Sequence, residues 1–420
     1  MDGLVIKNVT VIDKKSSHNN KVVDVLIEKG VYSKIGKNLS HKNVLDGKNC
    51  ILTNGLVDLR AFVQDPGEEY KEDFNSMNKV ALAGGFTTVC VHPHGPDTLQ
   101  KKQDIEYLNT INKNTTVNFI PIAACTTAIE GKDVSEMYDM KSSGAMGVSN
   151  GNTPIANAGV MNRILQYVSN IDSTIFVHAQ LDYMTPNWQV SEGLNNLKTG
   201  LKGLPNIAES IMVNRDLALA QYNETKIHFS HISTAESVTL IKKAKKEGIK
   251  VTADVSIMHL LFNDESTLDF DSNYKCNPPL RSRKDQEALI KGLKDGTLDA
   301  ICTDHNAQDK ESKIVEFDQA EYGIISSQWA FSKAYETLAT PIGEERLVEL
   351  FTTSPMSIIG LKQQGIKQGN KANFMVFSRD KKWQFDSTTN KSKSSNSPFL
   401  GSAIIGKVIA CGVGKEIKIY

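Results

Sequence analysis

Apolar and polar residues alternate at both ends of the chain and follow a different rhythm between them. Residues 3–12 (GLVIKNVTVI), 22–28 (VVDVLIE) and 31–36 (VYSKIG) are short runs rich in β-branched residues, broken by Gly, Lys and Asn. A period of two puts successive side chains on opposite faces, so these runs predict a meander of strands. Segments 372–378 (ANFMVFS), 402–414 (SAIIGKVIACGVG) and 415–420 (KEIKIY) alternate in the same way. Two such ends around a long middle predict one small β-sandwich built from both termini. Between about residues 50 and 350, apolar runs are each followed by helical spacing. The runs are CILTNGLVDL, GFTTVCVHP, VNFIPIAACT, GAMGVS, TIFVHAQ, KIHFSHIS, KVTADVS and LDAICTDHN. Stretches such as 235–248 (AESVTLIKKAKKEG) carry apolar residues at helical spacing and end on Gly. Eight βα units close a parallel barrel. The expected class is therefore α/β: a TIM-type (β/α)8 barrel over 51–355, with the two parts of the sandwich in 1–50 and 356–420. Segment 387–398 (STTNKSKSSNSP) has no large apolar residue and predicts an exposed loop or mobile strap.

The chain has 420 residues, more than one core usually holds, which suits a barrel with a small appendage. Apolar residues at 40% and charged residues at 23% place it among globular proteins rather than disordered ones. Forty-eight basic residues balance 48 acidic ones, so nothing in the charge invites nucleic acid or an anionic membrane, and a small ligand is expected. There is no 18-residue apolar run to span a bilayer, and the start lacks the basic-then-apolar layout of a secretion signal. Cys50, Cys90, Cys125, Cys276, Cys302 and Cys411 are scattered without a C-x-x-C pair. That pattern predicts reduced core thiols in a cytoplasmic protein.

The residues most capable of chemistry end the predicted strands. His92 and His94 close the second, His178 the fifth, His231 the sixth, and Asp304 with His305 the eighth. In a parallel barrel these ends form one face, so the side chains would converge. Imidazoles and a carboxylate are suitable ligands for Zn²⁺, which lowers the pKa of bound water, and an adjacent aspartate can carry protons. Taken singly, His178 or His231 reads as a hydrogen-bonded core histidine ahead of a ligand, and with a matching Asp304 the two readings draw level. His92-Pro93-His94 reads as a surface or loop pair.

The string GLVDLRAFVQDPGEEYKEDF (55–74) resembles the segment that opens the barrel of dihydroorotases, in the amidohydrolase superfamily. Similar matches follow at 200–220 (GLKGLPNIAESIMVNRDLALA), 228–238 (HFSHISTAESV), 274–306 (YKCNPPLRSRKDQEALIKGLKDGTLDAICTDHN) and 392–401 (SKSSNSPFLG). They cover nearly the whole chain. The resemblance implies reversible cyclisation of N-carbamoyl-L-aspartate to dihydroorotate in pyrimidine synthesis, with one or two zinc ions. Carried over position by position, it departs from the family at the site. The His-x-His pair falls on Arg60 and Phe62, and neither a guanidinium nor a phenyl ring can bind zinc. The carboxylate of the family's Ser-Asp-Asp-Gly turn falls on Asn150 or Gly151. His178, His231 and Asp304 match, leaving a permissible mononuclear set whose cation Arg60 would oppose. The substrate-holding arginine, asparagine and histidine of the family fall on Gln64, His94 and Gln308, while Asn277 of NPPLR is retained. Glutamine holds a carboxylate less strongly than arginine does.

Two expectations follow from the resemblance. One is a homologue with a degenerate metal site, no cofactor and little or no activity, acting as a structural partner of aspartate carbamoyltransferase and self-associating. The other is an active zinc-dependent hydrolase with one Zn on His178, His231 and Asp304, in which Asp304 is catalytic and Asn277 orients the substrate. A metal-free anion site made of Arg60, His94 and His305 is a third.

Overall fold

The computed structural model describes residues 3–95 and 98–420. Its centre is a parallel barrel with strands Leu56–Phe62, Phe86–Val91, Asn118–Ala124, Gly147–Ser149, Ile175–Val177, Ile227–Phe229, Val251–Ser256 and Ala300–Cys302, each beside the next. Seven lie within the runs named above, and the first begins in CILTNGLVDL and continues three residues past it to Phe62. Largely buried on both faces, these strands read as runs rich in apolar residues without strict alternation. The eighth strand is interrupted. Ala300–Cys302 pairs with Val251–Ser256, and after Thr303 and Asp304 the chain resumes as His305–Asn306, which pairs with Ala61 and Phe62 and closes the barrel. At the break Asp304 has φ +52°, and the Thr303 backbone N–H donates to Asp58 Oδ1 at 2.9 Å. The interruption brings the Asp304 carboxylate beside side chains of the first and sixth strands.

Strands from both ends form one continuous eight-stranded sheet. Its order is Glu416–Ile419, Ser402–Val413, Asn373–Phe385, Cys50–Asn54, Gly3–Val11, Val22–Glu28 and Val31–Gly36, with Val44–Asp46 also on Gly3–Val11. The run CILTNGLVDL is thus two strands: Cys50–Asn54 belongs to this sheet and the barrel begins at Leu56. Gly55 makes the transfer. A Cβ there would lie 2.1 Å from Thr87 Oγ1 and 2.2 Å from Asn373 Oδ1, so no larger residue fits.

Sheet and barrel share a core. Phe331, from the helix Ala330–Ile342, packs edge-on against Phe351 at 5.5 Å and Phe377 of the sheet at 5.0 Å, and Phe86 reaches Phe351 at 6.1 Å. Each such pair contributes about 0.5–1.5 kcal/mol beyond its buried area.

The strap at 387–398 departs from expectation. It is anchored rather than mobile. Ser394 Oγ donates to Lys71 O at 2.9 Å, Lys393 pairs with Asp73 at 2.6 Å, and Asn396 Nδ2 donates to Asn306 O and Gly323 O at 3.0 Å each. Ser394, Asn396 and Ser397 are buried. Its short polar side chains bond the backbone of other loops, so the composition marks a hydrogen-bonded clasp. The six cysteines are buried with free thiols. Among the described residues no helix is long and apolar enough to cross a membrane.

Candidate active site

The structure places Arg60 at the centre of the strand-end cluster. Its side chain is fully buried. Nε donates to Asp304 Oδ1 at 3.0 Å, and Nη2 donates to Gly151 O at 3.1 Å and Asn152 Oδ1 at 2.6 Å. Nη1 lies 3.3 Å from His92 Nδ1, and Phe62 packs against the guanidinium at 5.0 Å. His92 Nε2 is 2.9 Å from Leu59 O, so that nitrogen carries the proton and Nδ1 accepts from Arg60. Burial, then the Arg60 charge, hold the His92 imidazole well below the usual histidine range. His92-Pro93-His94 lies in the loop after the second strand, as one form of its reading had it, but His92 is not at the surface: it is a fully buried acceptor for Arg60.

The matching residues form a hydrogen-bonded chain. His231 Nδ1 lies 3.1 Å from Asp304 Oδ2, and His231 Nε2 lies 2.8 Å from His178 Nδ1. With Asp304 ionised opposite Arg60, His231 Nδ1–H donates to the carboxylate and its bare Nε2 accepts from His178 Nδ1–H. His178 Nε2 is then a buried acceptor without a partner. Burial lowers both imidazoles well below the ordinary value, and burial raises the Asp304 carboxyl while Arg60 pulls it back. His231 and Asp304 have φ of +41° and +52°. Such positions cost about 1–2 kcal/mol for a residue with a Cβ. The His231 conformation is held by its N–H, which donates to Asp254 Oδ1 at 2.6 Å.

A dinuclear zinc centre does not fit these residues. Two imidazole nitrogens on one tetrahedral zinc, each at about 2.0–2.1 Å, stand about 3.3 Å apart. At 2.8 Å, His178 Nδ1 and His231 Nε2 bond to each other. Both Asp304 oxygens are engaged, one by Arg60 and one by His231. Asn150 is engaged too: its Oδ1 accepts from Thr126 Oγ1 at 2.8 Å and its Nδ2 donates to Ile129 O at 3.1 Å. Among the described residues, no three His, Cys, Asp or Glu side chains are spaced to hold a metal ion.

The four substrate-holding positions do not form one group. Gln64 Nε2 donates to Asn306 Oδ1 at 2.9 Å, and Gln308 Nε2 lies 3.4 Å from the same oxygen. Asn277 Oδ1 accepts from Gln180 Nε2 at 2.9 Å. His94 instead lines an apolar cavity of about 160 Å³ with Val63, Phe74, Leu99 and Tyr107. Nor do Arg60, His94 and His305 form one anion site. His305 Nδ1 accepts from the backbone N–H of Ser326 at 3.0 Å and of Ser327 at 3.2 Å, so this ring holds a turn.

Burial lowers the His94 imidazole to about 4. A histidine kept neutral by the fold contributes stability that is present above its unfolded value of about 6.5 and is lost as pH falls toward 4. Each tenfold weakening of proton binding corresponds to about 1.4 kcal/mol, so His94→Asn is expected to reduce the loss of stability over that interval by about 3 kcal/mol. Urea titrations at pH 7 and pH 4.5 measure it, and parallel curves for the two proteins would refute it.

Sequence reasoning passed over Asn152 and Gln180. Gln180 is two residues beyond His178, and alternation along the strand direction was the available signal. Asn152 sits in a turn, where no period applies.

A barrel with this terminal sheet and a histidine–aspartate cluster at its strand ends defines an amidohydrolase-type protein. L-hydantoinase (dihydropyrimidinase) from Arthrobacter aurescens has the same fold, with a TM-score of 0.84 and 20% identity over 100% of this chain and 98% of that one. The profile of "Dihydro-orotase-like" proteins matches residues 49–237. Curated proteins named dihydroorotase are similar along the whole chain. That of Acetivibrio thermocellus is 35% identical over 410 residues, 96% of each chain, and that of Ruminiclostridium cellulolyticum 36% over 411 residues, 96% of this chain and 95% of its own. The chain belongs to the dihydroorotase family. The relatives' names favour the expectation of a cyclic-amide hydrolase over that of a non-catalytic homologue, and none speaks for a transferase partner.

Proposed function

We propose that this chain serves de novo pyrimidine biosynthesis as a dihydroorotase-family protein in which a side-chain cation has replaced the first metal, with little or no turnover of dihydroorotate. The observation that carries this reading is the fully buried Arg60 guanidinium on Asp304 at 3.0 Å. A fixed positive charge there repels a divalent ion, and the two aligned positions that should donate nitrogen hold Arg60 and Phe62. The partnership with aspartate carbamoyltransferase and self-association belong to the same proposal and rest on the resemblance, and a cytoplasmic location belongs to it on the pattern of scattered, unpaired cysteines. Co-elution of the two purified proteins in gel filtration tests the first of these.

A second reading is favoured by the relatives' names. In it one zinc on His178, His231 and Asp304 supports hydrolysis of dihydroorotate, and Asn277 orients the ring. Metal analysis of purified protein, with dihydroorotate turnover measured on the same sample, separates them. Metal-free, inactive protein is expected. Stoichiometric zinc, with turnover abolished by Asp304→Ala, would overturn the first reading and establish the second.

A further inference from the structure

Away from the strand-end cluster, two lysines of the terminal sheet and one of the strap stand close together. Lys407 is half-buried, and burial, then the charges of Lys381 and Lys391, lower its ammonium from the ordinary value. Like charges gathered in this way repel unless something negative joins them. Among the described residues none of the three ammonium groups pairs with a carboxylate, the terminal one of Tyr420 included. Asp386, just before the strap, is taken up by the backbone N–H groups of Thr388 and Thr389 at 2.9 and 3.1 Å.

Lys391 and Lys407 line a cavity of about 170 Å³ between the terminal sheet, the strap and the helices Phe74–Ala83 and Ala330–Ile342. Ala83, Val408 and the rings of Trp383 and Tyr420 give it apolar walls. Three hydrogen bonds fix them. Trp383 Nε1 donates to Gly406 O at 3.0 Å, Gln328 Nε2 donates to Thr389 O at 2.8 Å, and the Lys391 backbone N–H donates to Gln328 Oε1 at 2.9 Å. An apolar cavity of about 150 Å³ holds a benzene ring, so one six-membered ring has room here. Such a ring gains contact with the two aromatic side chains, and an anionic group on it meets Lys391 and Lys407 and relieves their repulsion.

We propose that this cavity binds a flat single-ring organic anion, with the ring against Trp383 and Tyr420 and the negative group at Lys391 and Lys407. Charge and ring are both required. A neutral ring leaves the lysines unanswered, and a small anion without a ring leaves the apolar walls unfilled. The cavity shares no residue with the strand-end cluster, so the inference stands under either reading of the metal site.

Calorimetric titration of the full-length protein at low ionic strength tests it with three probes: benzoate, benzyl alcohol, which keeps the ring without the charge, and acetate, which keeps the charge without the ring. Benzoate is expected to bind at least about tenfold more tightly than either of the others. Lys391→Met combined with Lys407→Met is expected to bring benzoate down to the level of benzyl alcohol, and Trp383→Leu to weaken benzoate about tenfold. The double lysine variant relieves a repulsion and keeps the methylene stems, so its melting temperature should not fall below the parent's. It decides the matter alone if Trp383→Leu does not fold. Benzyl alcohol or acetate binding as tightly as benzoate, benzoate binding unchanged by the double lysine variant, or no benzoate binding up to about 10 mM overturns the inference.

Discussion

Arg60→Met is expected to destabilise the protein by about 3–5 kcal/mol, the usual consequence of leaving one member of a buried ion pair without its partner. The carboxylate left behind is that of Asp304, whose side chain is only 10% exposed. His231 still donates to it, but a neutral imidazole does not supply the missing charge. The variant's loss should grow with pH. Without Arg60 the Asp304 carboxyl rises further above its unfolded value, and a group raised in this way contributes stability at low pH that disappears as pH climbs through its folded value. Adding Asp304→Leu should recover most of the loss, since an apolar pair of similar volume often replaces a buried ion pair without penalty. Urea unfolding at pH 5 and pH 8, followed by tryptophan fluorescence, gives all of these numbers. A loss below about 1 kcal/mol at pH 8 would mean that Arg60 is not the counter-charge of this site.

Arg60→His combined with Phe62→His is expected to convert a chain that retains no zinc on dialysis into one that retains about one equivalent. The double change supplies two neutral nitrogen donors and releases Asp304 Oδ1 from its ion pair, giving a third ligand. Asn150 is left alone because its Nδ2 donates to Ile129 O, which would face an aspartate there with another acceptor. Zinc at a hundredfold excess over its dissociation constant should raise the stability of the double variant by about 2.7 kcal/mol and leave the parent unchanged. Elemental analysis and melting curves with and without zinc measure the gain. A folded double variant that binds no zinc would show that Arg60 and Phe62 are not the barrier.

The eight barrel strands were legible because they are largely buried on both faces and so read as runs rich in apolar residues. Their breaks were not. Nothing in CILTNGLVDL shows that the chain changes sheets at Gly55, since the reason is an approach of Thr87 and Asn373 from elsewhere in the sequence. The break in the eighth strand is equally silent, because it depends on Asp58 holding Thr303. At the site, the resemblance sets Arg60 where the family places a histidine. That its guanidinium is satisfied, by a histidine just past the second strand, a glycine carbonyl and an asparagine from a turn, requires the fold. The strap misled for a related reason: serines and asparagines describe a free segment and a hydrogen-bonded clasp equally well, and only Lys71, Asp73 and Gly323 tell them apart.

The order of strands in the terminal sheet has a consequence for biosynthesis. Its inner ladder sets Phe374 opposite Asn54, joining a segment made early on the ribosome to one made near the end. Contacts so distant along the chain form slowly, and while the early strands can pair with one another, Cys50–Asn54 must wait with one edge unpaired while the barrel is being translated. The open edge of Cys50–Asn54 is thus the part of the early sheet most in need of chaperone cover, and the strand Asn373–Phe385, emerging after the barrel, is what relieves it.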